Sequence, residues 1–154
     1  MNPPFFQFEQ EFISTLNCIP MIVRYKLDTC GVKLKLAHWN QLNRETRQLL
    51  IDQPIKTSAE IQAYRQLLYD LVQKFSDLPL KDLPIDPHPP WSNPSVIPET
   101  VQQKAAEFNL TIETHQWKEL TALQRFALVK LSRPSHENKN FLPALKEFNL
   151  LGST

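Results

Sequence analysis

The chain carries an internal repetition. Slid against itself by 78 positions (117 − 39, the separation of Trp39 and Trp117), it matches without a gap. Ile19-Pro20 falls on Ile97-Pro98, Val23 on Val101, Lys26 on Lys104 and Trp39 on Trp117. Leu42 then falls on Leu120, Arg47 on Arg125 and Leu50 on Leu128, eight identities over the 33 positions from 19 to 51. Gly31 meets Asn109, and these are the two residue types that most readily end a helix in the left-handed conformation. An apolar residue, Val32 or Leu110, follows each, and Phe148-Asn149-Leu150 repeats the ending near the C-terminus. A pattern written twice at fixed spacing predicts two similar structural units.

The periodicity within each unit is helical. Pro20 and Pro98 sit where a helix accepts proline, in its first turn. Val23, Leu27 and Cys30 then recur at helical spacing up to Gly31, as do Val101, Ala105 and Phe108 up to Asn109. An aromatic-led segment follows, Leu36 to Leu42 or Thr114 to Leu120. The next helix opens at Asn43, or at Thr121 with Gln124 three residues on, a capping box. Thr57 and Glu60 form another, ahead of Ile61, Tyr64, Leu68, Leu71, Val72 and Phe75 on one face. The counterpart of this third helix is the shorter Pro143 to Phe148 segment. Phe8, Phe12, Ile13 and Leu16 predict a lead-in helix. Residues 79–98 hold seven of the 13 prolines, which predicts a stiff, extended, polyproline-like connection pinned to the body by Trp91. Only two glycines occur, which argues against a fold rich in tight hairpins.

The expected fold is therefore all-α: two pseudo-symmetric tandem helical repeats joined by a Pro-rich extended linker. Because each half alone is small for an independent core, one domain over 1–154 is expected. Its repeats span about 8–75 and about 97–151, with the linker at 79–98. Trp39, Trp117, Gly31 and Asn109 are its structural residues, the tryptophans as wedges between helices and the other two as helix ends.

Composition removes several function classes. The net charge is +1 with both signs mixed along the chain, so the basic stripe of a nucleic-acid binder is missing. No run approaches the roughly 18 apolar residues that cross a bilayer. The start, Met-Asn-Pro-Pro-Phe-Phe-Gln-Phe, lacks the basic lead and apolar block of a secretion signal, which points to the cytoplasm. Cys18 and Cys30 lie twelve apart with no second pair, unlike a structural zinc site, so no metal is expected. Cys30 falls on an apolar helix face and reads as a small buried hydrophobe. Cys18, just before a helix N-terminus, is the one conceivable nucleophile, with no partner base identifiable. Paired carboxylates such as Glu113 and Glu119 sit among polar residues as on a solvated face, and a phosphate-cradling loop needs more glycine than the chain has. The expectation is a protein without catalytic residues or a cofactor.

One polar run stands out, Lys130-Leu-Ser-Arg-Pro-Ser-His-Glu-Asn-Lys-Asn-Phe141, which interrupts a helical region where loops tend to carry function. Chemistry alone equally allows an ordinary solvated helix connection. Here the chain resembles a family, the nitrate reductase-associated proteins of cyanobacteria. The likeness is carried by Cys18-Ile-Pro-Met21, Lys26-Leu-Asp-Thr-Cys-Gly-Val-Lys-Leu34 leading to Trp39, and Ala63-Tyr64. It is closest in Arg125-Phe-Ala-Leu-Val-Lys-Leu131, Arg133, His136, Asn138, Asn140-Phe141, Pro143-Ala144 and Glu147-Phe148. Ser135 and Asn149 depart from it, standing where glycine is expected. The resemblance implies an accessory protein required for functional nitrate reductase, itself without a known catalytic residue. It would bind the enzyme and assist its assembly, cofactor loading or electron delivery. Arg125, Lys130, Arg133, His136, Asn138 and Asn140 are the candidate contact residues, chosen by position and chemistry. Two alternatives stand beside it: a molybdopterin-binding protein in which Lys130, Arg133 and His136 meet a phosphate, and a generic helical interaction module.

Overall fold

The computed structural model describes residues 5–10, 18–134 and 138–151. The chain resolves into two compact units, residues 1–85 and 86–154, the boundary falling inside the proline-rich stretch. Among the described residues there are eight α-helices and one two-stranded sheet. Of the expected lead-in helix, Phe8 lies in a short 3-10 turn, Gln7–Glu9, whereas Phe12, Ile13 and Leu16 lie outside the described residues.

The first unit contains α1 (Met21–Cys30), α2 (Leu36–Gln41), α3 (Arg44–Asp52) and α4 (Ser58–Phe75). Pro20 has no side-chain acceptor for the start of α1, and a buried carboxylate supplies one from outside. Glu9 accepts from the backbone N–H of Met21 at 3.0 Å and from that of Phe6 at 3.1 Å. An anion there also complements the positive end of the helix dipole. Asn43 caps α3 by accepting from the Thr46 N–H at 2.8 Å, and Thr57 with Glu60 closes the capping box of α4. Val23, Leu27 and Cys30 of α1, Trp39 and Leu42, Leu50 and Ile51 of α3, and Tyr64, Leu68 and Val72 of α4 form one buried cluster.

The all-α expectation needs one correction. β1 (Val32–Lys33) pairs antiparallel with β2 (Lys81–Asp82), Val32 opposite Asp82 and Lys33 opposite Lys81. The reason is the exit from α1. Gly31 adopts φ +76°, turns the chain sharply, and leaves its own carbonyl to accept from the Leu83 N–H at 2.8 Å. Extended backbone just past the cap then finds a partner in the returning chain.

The second unit contains α5 (Glu99–Ala106), α6 (Thr114–Glu119), α7 (Ala122–Ser132) and α8 (Phe141–Glu147). The starts of α5, α6 and α7 each lie 78 positions after those of α1, α2 and α3 (99 − 21, 114 − 36, 122 − 44). The caps agree in kind. Lys35 N–H donates to His38 Nδ1 at 3.0 Å, and Glu113 N–H to Gln116 Oε1 at 2.9 Å, before α2 and α6 respectively. Asn109 and Asn149 both take φ +60°. Each closes a Schellman motif, with Leu110 N–H reaching Ala105 O and Leu150 N–H reaching Leu145 O. Gly31 closes the simpler left-handed cap, its N–H reaching Leu27 O at 2.9 Å.

The stretch from 79 to 98 is not extended throughout. It contributes β2 and then folds through turns, Ser92 N–H to Pro89 O and Val96 N–H to Asn93 O. Trp91 is buried, its ring edge-on to Phe126 at 4.8 Å. Prolines preset the turns here as readily as they would an extended chain.

A methyl group at Gly31 would meet Ile85 Cγ1 at 2.7 Å and Leu83 O at 2.9 Å, besides the unfavourable φ. Gly31→Ala is therefore expected to lose about 2 kcal/mol or more in urea unfolding. Asn109→Gly, which relieves a positive φ, is expected to change stability by less than about 1 kcal/mol.

Candidate functional site

The polar run begins at the end of α7. This helix opens with the Thr121–Gln124 capping box, Gln124 N–H to Thr121 Oγ1 at 3.1 Å and Thr121 N–H to Gln124 Oε1 at 2.9 Å. From Arg125 to Val129 every residue is buried. It stops at Arg133, whose extended backbone (φ −79°, ψ 148°) is what the following Pro134 demands. A short 3-10 turn, Asn138–Asn140, leads into α8.

The candidate contact residues divide. Arg125 is only 8% exposed, with Nε donating to Trp91 O at 2.8 Å and Nη1 to Leu120 O at 2.5 Å. It belongs to the interior rather than to a contact surface, because a buried guanidinium must direct its donors at fixed acceptors. Lys130 is half-buried, its Nζ 5.3 Å from the centre of the Phe126 ring and 6.0 Å from that of Trp91. Arg133 and Lys139 are exposed, and Asn138 and Asn140 half-buried. His136 lies outside the described residues. Among its described residues, the connection between α7 and α8 presents cationic and amide chemistry, suited to hydrogen-bonding an acidic or carbonyl-rich surface.

Both repeat tryptophans are buried. Trp117 Nε1 donates to Asn93 O at 3.0 Å, whereas Trp39 Nε1 has no acceptor in reach among the described residues.

Other cations are structural too. Buried Lys26 donates to Ile51 O at 2.6 Å and Gln53 O at 2.5 Å. Burial lowers its pKa, and Asp52 opposes the shift. Beside it Tyr64 OH donates to Leu50 O at 2.8 Å, with burial first and Cys30 second pushing the phenol far up. Arg47 Nε donates to Trp39 O at 3.0 Å, and its pKa is lowered by burial. The shared letters at 26 and 104 hid a difference: Lys104 pairs instead with Glu107 at 3.3 Å. His38 is buried, and because Nδ1 accepts from Lys35, Nε2 is the ring nitrogen that donates to Leu78 O at 3.1 Å.

Among the described residues each unit has a surface cleft. One of about 370 Å3 in the first unit is lined by Tyr69, Val72, Gln73 and residues 76–80. One of about 290 Å3 in the second is lined by Gln116, Glu119, Leu120, Gln124 and residues 147–150. In the second, the Gln116 and Gln124 amides are engaged in the caps described above. Among the described residues no three His, Cys, Asp or Glu side chains are grouped to hold a metal, and no helix is long and apolar enough to cross a membrane.

A family model described as conserved nitrate reductase-associated protein matches residues 5–148. No curated protein and no solved structure matches the chain.

Two outcomes check this division. Removing Arg125 leaves buried carbonyls without donors, so Arg125→Ala is expected to cost about 3 kcal/mol in urea unfolding, and Arg133→Ala less than about 0.5 kcal/mol. Burial raises the Cys30 thiol to about 11, against a half-exposed Cys18. Iodoacetamide at pH 8 should therefore label Cys18 in the native protein and Cys30 only after unfolding, as read by peptide mass spectrometry.

Proposed function

The chain belongs to the conserved nitrate reductase-associated protein family, and we propose that it is a non-catalytic accessory protein that binds nitrate reductase and supports its assembly, cofactor loading or electron delivery. The observation that carries this reading is the reach of the family match, which takes in both units from residue 5 to residue 148. The chemistry of the chain supports it. Arg125, Arg47 and Lys26 direct their donors at backbone carbonyls, so they hold helices in place rather than substrates. The two units are read as diverged copies of one helical design, supported by helix starts 78 positions apart. Of the candidate contact residues, Lys130, Arg133, Asn138 and Asn140 form the surface through which the partner is engaged, in the cytoplasm, where a soluble reductase would be met.

Binding of the purified protein to apo and cofactor-loaded nitrate reductase tests the proposal. A complex with at least one form is expected. Charge reversal at Arg133 (Arg133→Glu) should weaken it by roughly tenfold at low salt, with the difference shrinking as salt rises. Absence of binding to both forms would overturn the reading. In a deletion strain, slow growth on nitrate with normal growth on ammonium is the expected phenotype, and equal growth on both would count against it.

A further inference from the structure

Residues 76–85, which follow α4, are attached to the first unit in an unusual way. Most of their side chains face solvent, with Leu80 and Leu83 only half-buried. The space between them and α4 is not filled, since the cleft lined by Tyr69, Val72 and Gln73 on one side has residues 76–80 on the other. The pairing of β2 with β1 is two residues long and sets Lys33 opposite Lys81, a like-charge pair that weakens a ladder. Beyond it Leu83 N–H donates to Gly31 O, and His38 Nε2 to Leu78 O.

A single carboxylate gathers what remains. Asp82 accepts from Arg65 Nη2 at 2.5 Å and from the Tyr69 hydroxyl. Arg65 in turn donates through Nη1 to the carbonyls of Gly31 at 3.0 Å and Cys30 at 3.3 Å. Asp82 thus ties the returning chain to α4 and, through Arg65, to the end of α1. The Asp82 side chain is 66% exposed, so this tie is screened by salt and open to competition from water.

We propose that residues 76–85 form a strap that opens as a local unit while α1 to α4 stay folded, with Asp82 as its latch. Within the strap Leu80 packs on the buried cluster while Leu78 and Ile85 are exposed, and so lightly packed a segment opens far more often than a core. The closed strap is one wall of the cleft along Tyr69, Val72 and Gln73. Opening removes that wall and leaves Arg65 on the α1 carbonyls. The device therefore controls access to one face of α4 without disturbing the unit beneath it.

Native-state amide exchange of the protein, resolved by residue, tests the strap. The Leu83 amide reports on it, and the Leu68 amide, midway along α4, reports on the unit. Leu83 should exchange at least about tenfold faster than Leu68 in the unaltered protein. Asp82→Ala should speed Leu83 by roughly threefold or more and leave Leu68 unchanged. Tyr69→Phe removes one donor to the same carboxylate and should act in the same direction, which keeps the test intact should Asp82→Ala not fold. Equal rates at Leu83 and Leu68 would mean that the strap opens only with the whole unit, and would overturn the proposal. So would a Leu83 rate that neither substitution moves.

Discussion

Short helices leave their last carbonyls without partners, and satisfying those carbonyls from elsewhere in the chain is the constraint that organises this protein. The helices α2 and α6 are six residues long, α3 is nine, and α1 is ten. At each a side chain from another position supplies the donor. Arg65 reaches the end of α1, Arg47 that of α2, Lys26 and Tyr64 that of α3, and Arg125 that of α6. A cation suits the place twice over, by its hydrogen bonds and by the negative end of the helix dipole. Its desolvation is offset because the acceptors are fixed in position, although burial still lowers the pKa of Lys26, against the opposing Asp52, and that of Arg47.

This use of charge shapes what the protein can offer a partner. The cations at 26, 47 and 125 are committed to the interior, while those at 133 and 139 remain at the surface, on the connection between α7 and α8. The buried polar groups described above serve the chain's own backbone and hold its helices in place. The exposed cations are the ones that fit the proposed contact with a partner.

The two units put matching letters to different uses. Trp39 and Trp117 occupy corresponding places and are both buried, yet among the described residues only the indole N–H of Trp117 finds an acceptor, the Asn93 carbonyl. Lys26 and Lys104 are the same residue at the same offset. The first is buried against α3, whereas the second forms an ion pair one turn along its own helix. Arg47 and Arg125 keep the same task, donation to a carbonyl, but toward different residues. Identity of letter preserved the helix and its ends more faithfully than the job of the side chain.

The helix periods, the starts at Asn43, Thr57 and Thr121, the left-handed ends at Gly31, Asn109 and Asn149, and the family were all legible in the sequence. The family rests on stretches spread along the chain, but each of the other features rests on interactions spanning three to five residues, where spacing alone specifies geometry. The sequence also marked the polar run at the end of α7, and it left Arg125 open between a lock on carbonyls and a surface contact. Pairings such as Lys26 with the end of α3, 25 and 27 residues away, or Arg125 with Trp91, 34 residues back, were decided only in the tertiary structure. So were the short sheet and the turns of the proline-rich stretch. These depend on which elements pack together, and a donor's choice among distant carbonyls is settled by that packing rather than by any local pattern.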